Sequence, residues 1–164
     1  MQIHLSLRRK GDVFVYGIPL WYRISSAVAA LALTAASIFS GGLGIPGSII
    51  VVIVILAAFY QERWTFDAGK DTCTGRMGLV FAAKGPTFKV SDIAWFRIDM
   101  FAKGRLDQKN LPAEEKMPGG SQARLIVEMK NGETFMLDSV LFKRRAELEA
   151  AAQTLAEALG IPLR

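Results

Sequence analysis

Most active sites are built from residues that this chain barely contains. Its 164 residues include one histidine, His4, and one cysteine, Cys73. With the only histidine in the N-terminal tail, neither a catalytic triad nor a histidine-rich metal site is available. A lone cysteine excludes an intramolecular disulfide and a cysteine-based zinc site, and it suits a reducing compartment. Cys73 lies between two threonines in a strand-like run, where a packed thiol is the natural reading. No catalytic residue, no metal ligand and no cofactor is assigned.

The third absence is charge. From Ile24 to Gln61 there is no Asp, Glu, Lys or Arg. A bilayer core of about 30 Å needs roughly 20 apolar residues per helix, and the uncharged block holds close to two such lengths. It is broken by Ser40-Gly41-Gly42-Leu43-Gly44-Ile45-Pro46-Gly47, a concentration of helix breakers. The pattern predicts two transmembrane helices, about 22–40 and 46–61, joined by a Gly/Pro turn. Trp21, Tyr22 and Arg23 precede the first, and Tyr60, Arg63 and Trp64 follow the second. Aromatic and basic residues at both outer ends fit anchors at a headgroup interface.

Orientation follows from the flanking cations. Arg8, Arg9, Lys10 and Arg23 stand against the single acid Asp12 before the block, while the turn is uncharged. Both termini are therefore expected on the cytoplasmic side of the inner membrane in a multi-pass protein. The basic start, the Ala-rich run and the small residues near Ala36 and Ser40 also fit a cleaved signal peptide, with the second helix as a stop-transfer anchor.

The net charge of +5 raises the question of nucleic acid. Residues 62–164, however, hold 16 Lys/Arg against 14 Asp/Glu with the signs interspersed, which is a solvated surface and not a phosphate-binding stripe. No nucleic-acid partner is expected.

After the helices the pattern changes to short alternating runs. Trp64 and Phe66 share one parity, Phe96, Ile98 and Met100 another run, and Leu125, Val127 and Met129 a third. Asn131-Gly132 supplies the pair that a type I′ hairpin turn requires. Residues 102–120 are polar and rich in breakers, and read as an exposed loop. Leu148, Ala151, Ala152, Leu155, Ala158 and Leu159 recur at helical spacing, predicting an amphipathic helix over 140–159, started by an Asp138 or Ser139 cap and stopped at Gly160 and Pro162. In the tail, 1–21, Ile3, Leu5 and Leu7 alternate before a turn at Arg9-Lys10-Gly11-Asp12, so a hairpin with Val13–Tyr16 is expected. The organisation is a membrane hairpin plus an α+β domain over 62–164.

This order of elements, with Glu62-Arg63-Trp64-Thr65-Phe66-Asp67, Val90-Ser91-Asp92-Ile93 and Asn131-Gly132 before the last strand, resembles the bacterial membrane-anchored proteins that carry a two-helix transmembrane hairpin and a pleckstrin-homology-like domain. The resemblance implies a bent antiparallel sheet or barrel closed by the C-terminal helix, a scaffold that binds lipids, peptides or proteins.

The remaining chemistry is sparse. Gly69-Lys70-Asp71-Thr72-Cys73-Thr74-Gly75 is in the wrong order for a phosphate loop and is flanked by strands. Asp67, Asp71, Asp92 and Asp99 fall at turns and strand ends, where Asp bonds backbone donors. Lys143-Arg144-Arg145 beside Phe142 is the one cationic cluster set at a helix start, either paired to Glu147 and Glu149 or offered to an anionic lipid or partner. The expected function is a non-enzymatic, membrane-tethered binding or assembly module with a protein partner or self-association. The alternatives are an anionic-phospholipid sensor and a membrane enzyme using carboxylates.

Overall fold

The computed structural model describes residues 5–39, 44–102 and 120–164. His4, the centre of the expected interhelical turn and most of the expected loop 102–120 lie outside the described residues.

A hairpin opens the chain, strand β1 (Ser6–Lys10) pairing with β2 (Val13–Gly17) around Gly11 at φ +62°. Two helices follow, α1 (Leu20–Phe39) and α2 (Gly44–Phe59), and the chain then returns as β3 (Tyr60–Asp67), which pairs with β2. Next come β4 (Thr72–Leu79) and the two-residue β5 (Thr87–Phe88), completing a five-stranded antiparallel sheet in chain order. The second sheet contains β6 (Ile93–Phe101), β7 (Gln122–Met129) and β8 (Thr134–Leu141). Helix α3 (Arg145–Leu159) covers the core and ends at Gly160, φ +65°, with the Ile161 N–H donating to the Ala156 carbonyl at 2.9 Å. That is a Schellman cap. The last residues run parallel to β6, the Phe96 N–H donating to Pro162 and the Arg164 N–H to Phe96, each at 2.9 Å.

Two expectations are corrected. The sheet does not close into a barrel plugged by a helix: among the described residues the strands form two separate sheets, of five and three strands, in an α+β protein. Nor do the described residues hold a hairpin of two spanning helices: among them only α1, at 20 residues, is long and apolar enough to cross a membrane. Helix α2 has 16 residues, about 24 Å of helix. It is short because Tyr60 and Gln61, expected in the second helix, are drawn into β3 by pairing with Leu79 and Gly78.

The two sheets share one core. Phe14, Tyr16, Trp64, Phe66 and Cys73 come from the inner face of the first, Phe96, Leu125, Val127 and Leu137 from the second, and Leu148, Ala152 and Leu155 from α3. Phe66 meets Phe96 edge-on at 6.2 Å and Phe88 stacks on Phe135 at 5.0 Å, so aromatic pairs join the layers directly.

Two bulges decide which residues face that core. A one-residue insertion reverses the alternation of everything beyond it. The irregularity between Ile93 and Trp95 lets both Ile93 and Phe96 be buried and turns Trp95 outward, where its Nε1–H donates to Glu128 at 3.0 Å and Arg164 lies 4.0 Å over the ring. The second bulge lies where Leu125 pairs with Asp138 but Ile126 with Met136, leaving Leu137 extra. Leu137 and Asp138 are consequently both buried. Asp138, expected as a helix cap, is thus an interior residue of β8, and α3 begins at Arg145.

Candidate functional site

Helices α1 and α2 touch along a narrow seam. In α1 the shielded positions beyond Arg23 are Ser26, Ala30, Leu33 and Ser37, and in α2 they are Gly47, Val51, Val54, Ala57 and Ala58. This three-and-four spacing marks one contact stripe per helix, and small residues on it allow close approach. Arg23 Nε donates to the Ala58 carbonyl at 3.4 Å at the sheet end of the seam. Almost everything else on the pair is apolar and exposed, including Ile24, Val28, Leu31, Ile49, Ile53 and Leu56. A water-soluble monomer rarely shows a continuous apolar surface of this extent.

A third segment joins the helices at that end. The Val80 N–H donates to the Phe59 carbonyl at 2.9 Å, fixing the turn after β4 beside the end of α2, and Phe81 in that turn is 76% exposed. Strand β4 ends at Leu79, which leaves Val80 and Phe81 as an exposed apolar tip.

The outer face of the five-stranded sheet begins where this apolar surface stops. Its parity is opposite to that of Tyr16, Trp64 and Cys73. One rung runs Ser6, Gly17, Arg63, Arg76 across four strands, and the next runs Arg8, Val15, Thr65, Thr74. Arg8, Arg63 and Arg76 are exposed. A small cavity of about 150 Å³ lies against Arg8, Gly17, Leu20, Arg23, Glu62 and Arg63. A wider hollow of about 430 Å³, which shares Arg63 with it, continues past Thr74 to Arg76.

Comparison with protein-family models and with curated proteins finds no match. The functional reading therefore rests on this geometry.

Of the expected interface anchors, Trp21 is 63% exposed at the start of α1, with Tyr22 edge-on to it at 6.1 Å, and Tyr60 and Arg63 are exposed beyond α2. Trp64 is not with them. It is 1% exposed, on the inner face of β3, so it cannot serve a headgroup interface. Its neighbours in the chain made it look like an anchor, while strand alternation sends it the other way from Arg63.

The cluster at α3 is largely self-paired. Arg144 makes a two-point contact with Glu147 at 2.7 and 3.1 Å, and Arg145 Nε reaches Glu149 at 2.5 Å. Lys143 is exposed and Phe142 half-buried in the 3₁₀ turn before α3. This cluster does not adjoin α1 or α2 in sequence or through any sheet pairing.

The polar groups inside the domain bind one another. The Tyr16 hydroxyl donates to Asp138 Oδ2 across the two sheets. Burial first, then the Asp138 charge and this bond, hold the phenol well above its ordinary pKa. Burial and the same aspartate raise the Glu62 carboxyl. Burial pushes the Cys73 thiol up to about 12, far from a nucleophile's range. The four aspartates considered for carboxylate chemistry stay apart: Asp67 bonds Lys70, Asp71 takes two hydrogen bonds from Ser91, and Asp99 pairs with Arg97 at 2.9 Å. Asp92 is engaged through its carbonyl by the Lys130 N–H. Among the described residues no three His, Cys, Asp or Glu side chains gather as a metal site.

Proposed function

We propose that this protein is a non-enzymatic binding module tethered to a membrane, with its two sheets held at the cytoplasmic face of the bilayer. The observation that carries this reading is the apolar, exposed surface of α1 and α2, which opens directly from β2 and β3 and is extended by Val80 and Phe81. Burying such a surface in lipid is favourable by about 25 cal/mol for each Å² removed from water. Because β2 before α1 pairs with β3 after α2, the helix pair enters the lipid from the sheet side and returns to it, α1 being the longer of the two at 20 residues. The cations Arg8, Arg9, Lys10, Arg23 and Arg63 all lie on the sheet side, which favours a cytoplasmic domain. Among the described residues no nucleophile and base converge, which favours binding over catalysis.

The test is fractionation of the full chain. It is expected to remain in the membrane pellet through alkaline carbonate and high salt, to be released only by detergent, and to resist protease added outside intact spheroplasts. Release by carbonate would overturn the tether, and cleavage from outside would overturn the orientation.

A protein partner is the second reading. It is favoured by β8, the last strand of its sheet, which exposes the apolar side chains of Met136 and Leu141. Purification of the full chain in mild detergent, with and without Met136→Lys and Leu141→Lys, checks this: a stoichiometric protein lost from the double variant supports it, and no co-purifying protein overturns it.

A further inference from the structure

Arg63 and Arg76 are register partners on neighbouring strands, both exposed on the outer face. Like charges directly opposite one another weaken an antiparallel pair, so folding gives no reason for this rung. Neither arginine has an ion-pair partner among the described residues, and the only polar contact of Arg63 is with Thr65 Oγ1 at 3.3 Å. Asp67, the carboxylate on the same face of β3, lies two rungs away and binds Lys70. Arg8 stands on the adjacent rung, and Arg23 lines the same small cavity as Arg8 and Arg63. Four guanidinium groups therefore border the two hollows, against Glu62 in the small cavity and Asp67, already held by Lys70, in the wider one.

The place of the rung says what fills it. Gly17 and Arg63 lie three residues from Leu20 and Tyr60, where the apolar surface begins, about 10 Å along a strand. Ile18 and Leu20 line the cavity beside the arginines. A ligand there meets cations at one end and hydrocarbon at the other, which matches a phospholipid where headgroup gives way to acyl chain.

We propose that the outer face of the first sheet is a binding site for an anionic phospholipid, with Arg63 and Arg76 holding the headgroup phosphate and Arg8 and Arg23 flanking it. The inference rests on the membrane tether and identifies what the module binds. Guanidinium groups suit the role because each presents a planar fork of donors to phosphate oxygens. The ligand relieves the repulsion within the rung, so the arrangement that weakens the sheet alone strengthens the complex.

The experiment uses the full chain in mild detergent, titrated separately with dihexanoyl phosphatidylglycerol, dihexanoyl phosphatidylcholine and inorganic phosphate. The wild type is expected to prefer phosphatidylglycerol over phosphatidylcholine, to lose that preference as salt rises, and to bind free phosphate far more weakly. Arg63→Gln with Arg76→Gln is expected to weaken phosphatidylglycerol binding roughly thirtyfold, the value of two interfacial cations. The same pair should melt no lower than wild type without lipid, which separates lost binding from lost folding. Lys143→Gln with Arg144→Gln should leave binding unchanged. Equal binding of both lipids, full retention by the Arg63/Arg76 variant, or phosphate binding as tight as the lipid would each overturn the site. Carbonate resistance of the same variant reads the tether separately: retention without lipid selectivity sinks only the site, whereas release of the wild type sinks the tether.

Discussion

The ring of Trp64 fills the space directly over Gly75, its partner across β3 and β4: a Cβ on Gly75 would meet Cζ3 of the indole at 2.8 Å. Both residues are buried, so the ring has nowhere to retreat. Gly75→Ala is expected to destabilise the protein by about 1–3 kcal/mol through overpacking, lowering the thermal midpoint by roughly 3–10 °C. A thermal melt in detergent, followed by tryptophan fluorescence, reads this directly, and an unchanged midpoint would refute the packing.

Tyr16 and Asp138 tie the two sheets together in the interior. Tyr16→Phe withdraws the hydroxyl from a buried carboxyl group and should cost about 1.5–3 kcal/mol. Asp138→Asn, which still accepts the bond, should cost less. The phenol's pKa is raised in the folded protein, so its contribution is complete below about pH 10, the unfolded value, and is lost as pH rises further. Wild-type stability should therefore fall above about pH 10, with a shallower decline in Tyr16→Phe.

Glu62 behaves in the same sense at acid pH. Its folded pKa is raised, chiefly by burial, so it favours the native state below about pH 4.3, the unfolded value, and that contribution disappears as pH rises through the folded value. Glu62→Gln is expected to raise the melting midpoint at pH 7 and to leave it unchanged near pH 4. A variant less stable than wild type at pH 7 would contradict this.

Cys73 is fully buried with its thiol pushed up to about 12. Iodoacetamide at pH 8 should leave the folded protein unlabelled and alkylate it completely after denaturation. Rapid labelling of the native protein would mean that the core opens at β4.

Trp21 and Trp64 should separate cleanly in lipid. A protein retaining only Trp21 should be strongly quenched by bromine-labelled acyl chains. One retaining only Trp64 should not, because that ring lies in the interior of the two sheets. Equal quenching of both would contradict the burial of Trp64.

Local chemistry was easiest to read. Asn131-Gly132 marks the turn between β7 and β8, yet only Gly132 has positive φ, +86°, and the Gly132 N–H bonds the Met129 carbonyl. The turn is a type I turn, Met129 to Gly132, closed by a glycine bulge in which Gly132 and Glu133 oppose Met129, not the type I′ turn that the pair suggests. Periodicity likewise located Leu148, Ala152 and Leu155 on the buried face of α3, though Ala158 is exposed and Ala156 is buried in its place, and the start moved to Arg145 because Val140 and Leu141 complete β8. At the candidate site the sequence pointed to Lys143, Arg144 and Arg145, which are contiguous and hence conspicuous. It passed over Arg76, which gains meaning only from the strand opposite.

By itself, the sequence determined the uncharged apolar block, the cations before it, the strand runs and the amphipathic last helix, because each depends on residues near one another in the chain. Only the tertiary structure decided that the strands form two sheets, that a bulge at Leu137 turns Asp138 toward Tyr16, that Trp64 faces inward, and that Arg63 meets Arg76. Register between strands and the phase of a bulge are set by side chains far apart in sequence competing for one core, and a shift of one residue exchanges the buried face for the exposed one.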